Sequence, residues 1–313
     1  MADAKKTPRE LSAEILPATF LSRAALVARG LRSRDITRLV AGGEIIRLRN
    51  GRYVGSDLRP ALVRAGKLGA RLDCVSLLSA LGVFVHTHHG LHVQIEHGAT
   101  RLPIPEADVV RHWRRSCRNP NHLAADIVEA LAQSFRCQPL REAIATLDSA
   151  WHHGLVDEAA VAAVFGLLPR RYRPLRRLLD RRSESGPETI MRLILLGLGC
   201  DIELQVRIPG VGRVDFVVDG WLIIECDSRE HHAGWENEKR DRRRDLVAAT
   251  QGYTTVRPIA EDILYHREEI VVMLRQVLAH PPIRPRGQNS SSTTRTARKS
   301  AGSGPARATV TES

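Results

Sequence analysis

A chain of 313 residues has room for roughly two domains, and its 47 Lys and Arg against 35 Asp and Glu leave a formal charge of +12, so a polyanion, nucleic acid foremost, is the expected partner. The five cysteines, Cys74, Cys117, Cys137, Cys200 and Cys226, are scattered and never form a Cys-x-x-Cys pair, which argues against zinc ribbons and disulfide frameworks and fits a reducing cytoplasm. No apolar stretch is long enough to span a bilayer and residues 1–10 lack a signal-peptide core, so a cytoplasmic protein with no membrane partner is expected.

Residues 1–57 read as helices followed by a hairpin. Leu21, Ala25 and Leu26 have helical spacing in a segment that ends at Gly30. Ser33 is placed to cap a second helix, with Ile36, Leu39 and Val40 inward, that stops at Gly42 and Gly43. Glu44 to Gly55 sets two β-rich runs around Asn50-Gly51, a strong hairpin signal. Helix-turn-helix plus hairpin predicts a winged helix. Arg32, Arg34 and Arg38 would meet phosphates or base edges from the second helix, while Arg47, Arg49 and Arg52 would decorate the wing. The alternatives are solvated arginines or a face that binds another protein. Through Leu26, Gly30, Leu31, Gly43, Arg47, Gly51 and Tyr53 the segment resembles the winged-helix domain of AbiEi-type antitoxins. That resemblance implies DNA binding and leaves room for a protein partner from a toxin-antitoxin or defence system.

Residues 58–182 are expected to be mainly helical. Leu77 to Val83 suggests a buried helix and His92 to Glu96 a short strand. Apolar residues recur at helical intervals over Leu123–Phe135, Pro139–Trp151, Asp157–Leu167 and Arg171–Leu179. His86, His88, His89 and His92 stand close together without a recognised ligand spacing and read as loop histidines. His152 and His153 suit a helix C-terminus. No catalytic constellation is read from this stretch.

Ser185, Pro187 and Glu188 predict a capped helix running to Gly197 or Gly199. Strands are expected over Ile202–Ile208, Gly212–Val218, Leu222–Asp227 and Tyr253–Arg257, with a charged helix from Trp235 to Thr250 and a closing helix from Glu261 to Ala279. The order is α-β-β-β-α-β. Residues two apart on a strand share a face, so Glu225 and Asp227 would project together and the turn at Asp219-Gly220 would fold Asp215 back beside them. Clustered carboxylates in apolar strands suit Mg²⁺ or Mn²⁺ and would be costly to bury without a cation. On the charged helix Asp241 and Arg244 are one turn apart and able to pair, with Arg244 or Asp245 bracing the sheet, which leaves Lys239, Arg240, Arg242 and Arg243 for phosphate. Cys226 reads as a small buried hydrophobe.

Element order together with Pro187-Glu188, Val214-Asp215-Phe216, Glu225-Cys226-Asp227, His231-His232, Asp241-x-x-Arg244-Asp245 and Gly252-Tyr253 closely resembles a domain family allied to very-short-patch-repair (Vsr) endonucleases, within the PD-(D/E)xK superfamily. The fold class expected is therefore an α/β (α+β) restriction-endonuclease-like C-terminal domain over 183–280 behind a mainly α N-terminal winged-helix region. The resemblance implies metal-dependent DNA hydrolysis. Asp215 and Glu225 would hold the cation, Glu188 would add an outer ligand, and His231 or His232 would be a general base or hold the water. The superfamily's lysine is replaced by Asp227, which either ligates metal or marks a site that binds without cutting. Residues 281–313 carry Arg284, Arg286, Arg295, Arg298, Lys299 and Arg307 without apolar periodicity and are expected to be disordered. The rival function is a non-catalytic DNA-binding regulator.

Overall fold

The computed structural model describes residues 6–104, 106–227 and 235–282, with 235–238 described by backbone alone. His231, His232 and the tail beyond 282 lie outside the described residues.

Helix α1 (Pro8–Ile15) opens on a capping box in which Thr7 N–H donates to the Glu10 carboxylate at 2.7 Å. Leu21–Ser22 is a strand, β1, and the Ser22 hydroxyl accepts the Ala25 N–H at 3.0 Å to start α2 (Arg23–Ala28), so the expected helix begins later than Leu21. Helix α3 spans Ser33–Ala41. Its N-cap is Arg32, whose N–H donates to the carboxylate of Asp35 in the first turn at 3.0 Å, whereas the Ser33 hydroxyl, expected to cap, accepts from Arg23 Nη2 instead. Strands β2 (Ile45–Arg49) and β3 (Arg52–Gly55) form the expected hairpin, with Gly51 at φ 72° making the turn, and the sheet order is β1-β3-β2. Leu26, Ile36 and Tyr53 form its small core.

The middle of the chain adds α4 (Pro60–Lys67), β4 (Arg71–Leu72), α5 (Cys74–Ala80), β5 (Leu91–Ile95), β6 (Val109–Trp113), α6 (Ile127–Cys137), α7 (Leu140–His152) and α8 (Glu158–Leu167). Strand β5 pairs antiparallel with β4 and parallel with β6. Helix α6 starts later than expected because Leu123 and Ala125 donate backbone N–H groups to Ala18 and Leu72 carbonyls, and Asp126 then caps Val128. The stretch expected as a helix over 171–179 is a 3-10 helix, Arg170–Leu178, since Pro174 within it has no N–H for an α-helical bond.

The last elements are α9 (Gly186–Leu198), β7 (Ile202–Ile208), β8 (Gly212–Val218), β9 (Leu222–Ile224), α10 (Trp235–Thr250), β10 (Thr254–Val256), α11 (Ala260–Tyr265) and α12 (Arg267–Leu278). The expected α-β-β-β-α-β order is present, with sheet order β10-β9-β8-β7, β10 parallel to β9 and the rest antiparallel. Residues from α9 and α12, including Ile190, Ile194 and Ile270, share one core with Phe216, Val218 and Ile224. Ala248 of α10 joins Val214, Val217 and Ile223 in another. The closing helix, expected to be continuous, breaks at His266, whose φ −120° and ψ 38° are not helical.

Helix α9 is anchored to α7 by a buried pair. Arg192, 3% exposed, donates to Asp148 Oδ2 at 2.6 Å, and Asp148 also accepts from Thr189 Oγ1 and from the Asp180 N–H. Gly186, at the start of α9, lies so close to the Phe84 ring that an added Cβ would stand 2.4 Å from it. Arg192→Met strands the buried Asp148 charge and is expected to cost about 3–5 kcal/mol in urea unfolding. Lys6→Ala, which breaks the exposed Lys6–Glu14 pair, is expected to leave the unfolding midpoint near the wild type's.

Candidate active site

Strict strand alternation would send residues 214, 216 and 218 to the same face of β8. Phe216 and Val218 do pack together with α9, but Val214 packs with Val217 and Ala248 of α10, so the alternation slips at Asp215. Across from Asp215, Gln205 of β7 has φ 54°, and the ladder pairs Leu204 with Phe216 and Val206 with Val214 while skipping the residues between. A non-glycine residue in that backbone region is uncommon and marks a built irregularity.

The irregularity gathers Gln205, Asp215 and Glu188. Gln205 Nε2 donates to Glu188 Oε2 at 3.0 Å and stands 3.5 Å from Asp215 Oδ1. Asp215 Oδ2 accepts the Cys226 N–H at 2.8 Å, and Glu188 Oε2 accepts the Glu184 N–H at 2.9 Å. Ser185 caps α9, as its position in the sequence predicts. Gln205 Oε1 is buried with no hydrogen-bond partner. Burial, followed by the nearby Asp215 charge, pushes the Glu188 carboxyl up to about 7. Burial likewise raises Asp215, against the pull of the Cys226 amide.

Glu225 turns elsewhere. It pairs with Arg244 at 2.9 Å and Arg257 at 2.5 Å, and burial raises its pKa while the two guanidiniums oppose the rise. Arg244 also donates to the Val211 and Arg213 carbonyls at 2.7 and 2.9 Å and lies 3.4 Å from Asp241, so the expected Asp241–Arg244 pair and the bracing of the sheet are both present. Arg257 reaches Asp245 at 2.7 Å. Asp227 is exposed and lies beyond the end of β9, with its backbone bridged to Ile259. The regular strand ends at Ile224, but the backbone continues in the same parallel register, with Glu225 N–H donating to the Val256 carbonyl at 3.2 Å and Asp227 N–H to the Pro258 carbonyl at 3.1 Å. Cys226 packs at the edge of the apolar cluster, and burial followed by the surrounding carboxylates drives its thiol well above the usual range.

Arg32, Arg34, Arg38 and Arg47 are exposed, with Arg32 and Arg38 3.2 and 3.8 Å from Asp35 and Arg47 donating to Asn50 at 2.8 Å. Arg49 and Arg52, expected to decorate the wing and its strands, turn to the protein body. Arg49 donates to the Arg101 carbonyl at 2.5 Å, and Arg52 lies over the Phe20 ring at 4.6 Å. On α10, Arg240 and Arg243 are exposed and Lys239 is half-buried.

Asp215, Glu225 and Asp227, expected to share a cation, do not have ligand atoms that all lie within 4.8 Å of one another. Among the described residues, the group of three or more Cys, His, Asp or Glu whose ligand atoms all lie within 4.8 Å of one another is Cys74, His92, His112 and Cys137. Spacing in the chain conceals it, since its members are far apart in sequence and converge only through strand pairing and the α5 and α6 termini. His92 lies within β5, as the short strand expected over His92 to Glu96 places it, and not among the loop histidines.

No family model matches the chain. It is 30% identical over 195 residues to an uncharacterized protein of Mycobacterium tuberculosis, found in strains CDC 1551 / Oshkosh and H37Rv, an alignment covering 60% of this chain. The chain spans 65% of the length of these curated relatives. Among the described residues, no helix is long and apolar enough to cross a membrane.

An acid whose folded pKa is raised holds a proton that the unfolded chain has released, so stability is full below the unfolded value of 4.5 and is lost as pH rises toward about 7. In metal-free buffer the wild type is therefore expected to lose on the order of a few kcal/mol between those limits. Glu188→Gln should flatten that slope in urea titrations run at stepped pH.

Proposed function

We propose that residues 186–278 form a metal-dependent DNA endonuclease domain of the Vsr-like PD-(D/E)xK type, and that residues 8–55 form an AbiEi-like winged helix that docks DNA. The observation that carries this reading is the joining of Glu188 on α9 to Asp215 on β8 through Gln205 on β7, among elements in the order α-β-β-β-α-β.

The residues fit a hard divalent cation. The buried Glu188, the half-buried Asp215 and the unpartnered Gln205 Oε1 offer oxygen ligands, and Mg²⁺ ordinarily takes one or two carboxylates with water and substrate phosphate supplying the rest. Asp215 and Glu188 would hold Mg²⁺ or Mn²⁺, with Gln205 beside them and Glu225 and Asp227 at the rim. The bound ion would offset charge growing on the scissile phosphate and lower the pKa of water. Gln205 orients both carboxylates, and the Cys226 amide fixes Asp215. Arg244 and Arg257 hold Glu225 in place from the α10 side. Exposed Arg240 and Arg243, with Arg32, Arg34, Arg38 and Arg47, supply phosphate contacts.

A second reading, a DNA-binding regulator on a degenerate nuclease scaffold, is favoured by one observation: Glu225 is already neutralised by two arginines, and Asp227 stands where the superfamily has lysine.

Supercoiled DNA incubated with Mg²⁺ or Mn²⁺ should be nicked by the wild type, and Asp215→Ala or a chelator should lower the rate about a hundredfold or more. Metal-independent binding without cleavage on supercoiled, linear, mismatched and single-stranded DNA would select the regulator. The paired Arg34→Glu, Arg38→Glu variant should weaken DNA binding and reduce its salt dependence. Unchanged affinity would mean that the winged helix serves a protein partner.

A further inference from the structure

We propose that Cys74, His92, His112 and Cys137 form a structural zinc site, independent of the carboxylate site, that staples the middle of the chain. The four come from four elements: Cys74 begins α5, His92 lies in β5, His112 in β6, and Cys137 ends α6. Their ligand atoms all lie within 4.8 Å of one another. His92 Nδ1 stands 3.2 Å from His112 Nε2, and Cys137 Sγ stands 3.9 Å from that same nitrogen. Bond lengths of about 2.3 Å to sulfur and about 2.0–2.1 Å to nitrogen give a tetrahedron N-to-N edges of about 3.3 Å and N-to-S edges of about 3.6 Å. The observed separations lie near both values.

Donor chemistry selects the ion. Two thiolates and two imidazoles are a borderline-soft, four-coordinate set that suits Zn²⁺ and disfavours Mg²⁺, which the carboxylates would take. On binding, two sulfur-to-zinc and two nitrogen-to-zinc bonds form, the two thiol protons leave to solvent, and the thiolates cancel the ion's charge. No oxidant or reductant is needed.

The surroundings are arranged around the four. Cys74 adopts φ 52°, a left-handed backbone unusual for a non-glycine residue, and is fully buried. Gln133 Nε2 donates to Cys137 Sγ at 3.5 Å, and Asp73, buried beside Cys74 and taking Arg114 at 2.8 Å, supplies a carboxylate near His112. Cys74 and His92 are buried, His112 is half-buried, and Cys137 lies at the solvent edge, which leaves a way in for the ion. With all four positions filled by protein the site has no open place for substrate, so its role is to hold structure. Strand β6 benefits most. It pairs along one edge with β5, exposes Val110 and Trp113, and follows the long connection over residues 96–108.

The test uses the full chain purified with zinc present, then gel-filtered against a mild chelator. Elemental analysis should find about one zinc per chain in the wild type and in Asp215→Ala, and little in Cys137→Ser or His112→Ala. Cobalt exchanged into the wild type should give the intense tetrahedral ligand-field and thiolate charge-transfer bands, absent in Cys137→Ser. A strong chelator should lower the melting temperature of the wild type and leave that of Cys137→Ser, whose altered side chain is at the surface, unchanged. The proposal is overturned by zinc-free wild type from zinc-supplied cells, by a Cys74–Cys137 disulfide in the native protein, by zinc retained in both ligand variants, or by zinc lost in Asp215→Ala.

Discussion

A sheet with apolar clusters on both faces has almost no place for a carboxylate, and much of the C-terminal architecture follows from how β8 nevertheless carries one. Burying an unpaired acid between apolar layers would cost several kcal/mol. The chain meets this by interrupting the β7–β8 ladder at Gln205 and Asp215, which delivers Asp215 to Gln205 and to Glu188 at the start of α9. The flanking ladder pairs keep the hydrophobic register intact on both sides, so the irregularity is confined to one position.

Two electrostatic arrangements flank that interruption. Around Glu188 and Asp215, burial outweighs the available hydrogen bonds and the carboxyls are held above their ordinary range, a state that a divalent cation would relieve. Around Glu225, two arginines already serve as counter-ions, and Arg244 ties the same network to the Val211 and Arg213 carbonyls. Helix α10, charged on every side in sequence, is therefore not simply solvated. Asp241, Arg244 and Asp245 brace the sheet, while Arg240 and Arg243 remain at the surface.

The two candidate metal sites differ in the way hard and soft chemistry predicts. Oxygen atoms at the start of α9 make an incomplete set that needs water or phosphate to finish it, as catalysis requires. The Cys and His set in the middle of the chain is complete in itself, as a structural site requires. Helix α7 links these regions through the buried Asp148–Arg192 pair, so the helix that presents Glu188 is fixed to the middle of the chain one turn further along.

Local signals carried much of the fold. Asn50-Gly51 placed the hairpin, Ser185-Gly186-Pro187 the start of α9, and Gly197 or Gly199 its end, of which the structure uses Gly199, because turn and cap chemistry acts over a few residues. The α-β-β-β-α-β order and the pairing of Asp241 with Arg244 were equally legible. Pairing between distant segments decided the rest. Arg244 and Arg257 claim Glu225, the unpaired Gln205 turns Asp215 toward Glu188, and β5 lying parallel to β6 brings His92 beside His112 with Cys74 and Cys137 alongside. Caps and turns are set by near neighbours along the chain. A ligand set drawn from four elements depends on register and packing, which no spacing along the sequence encodes.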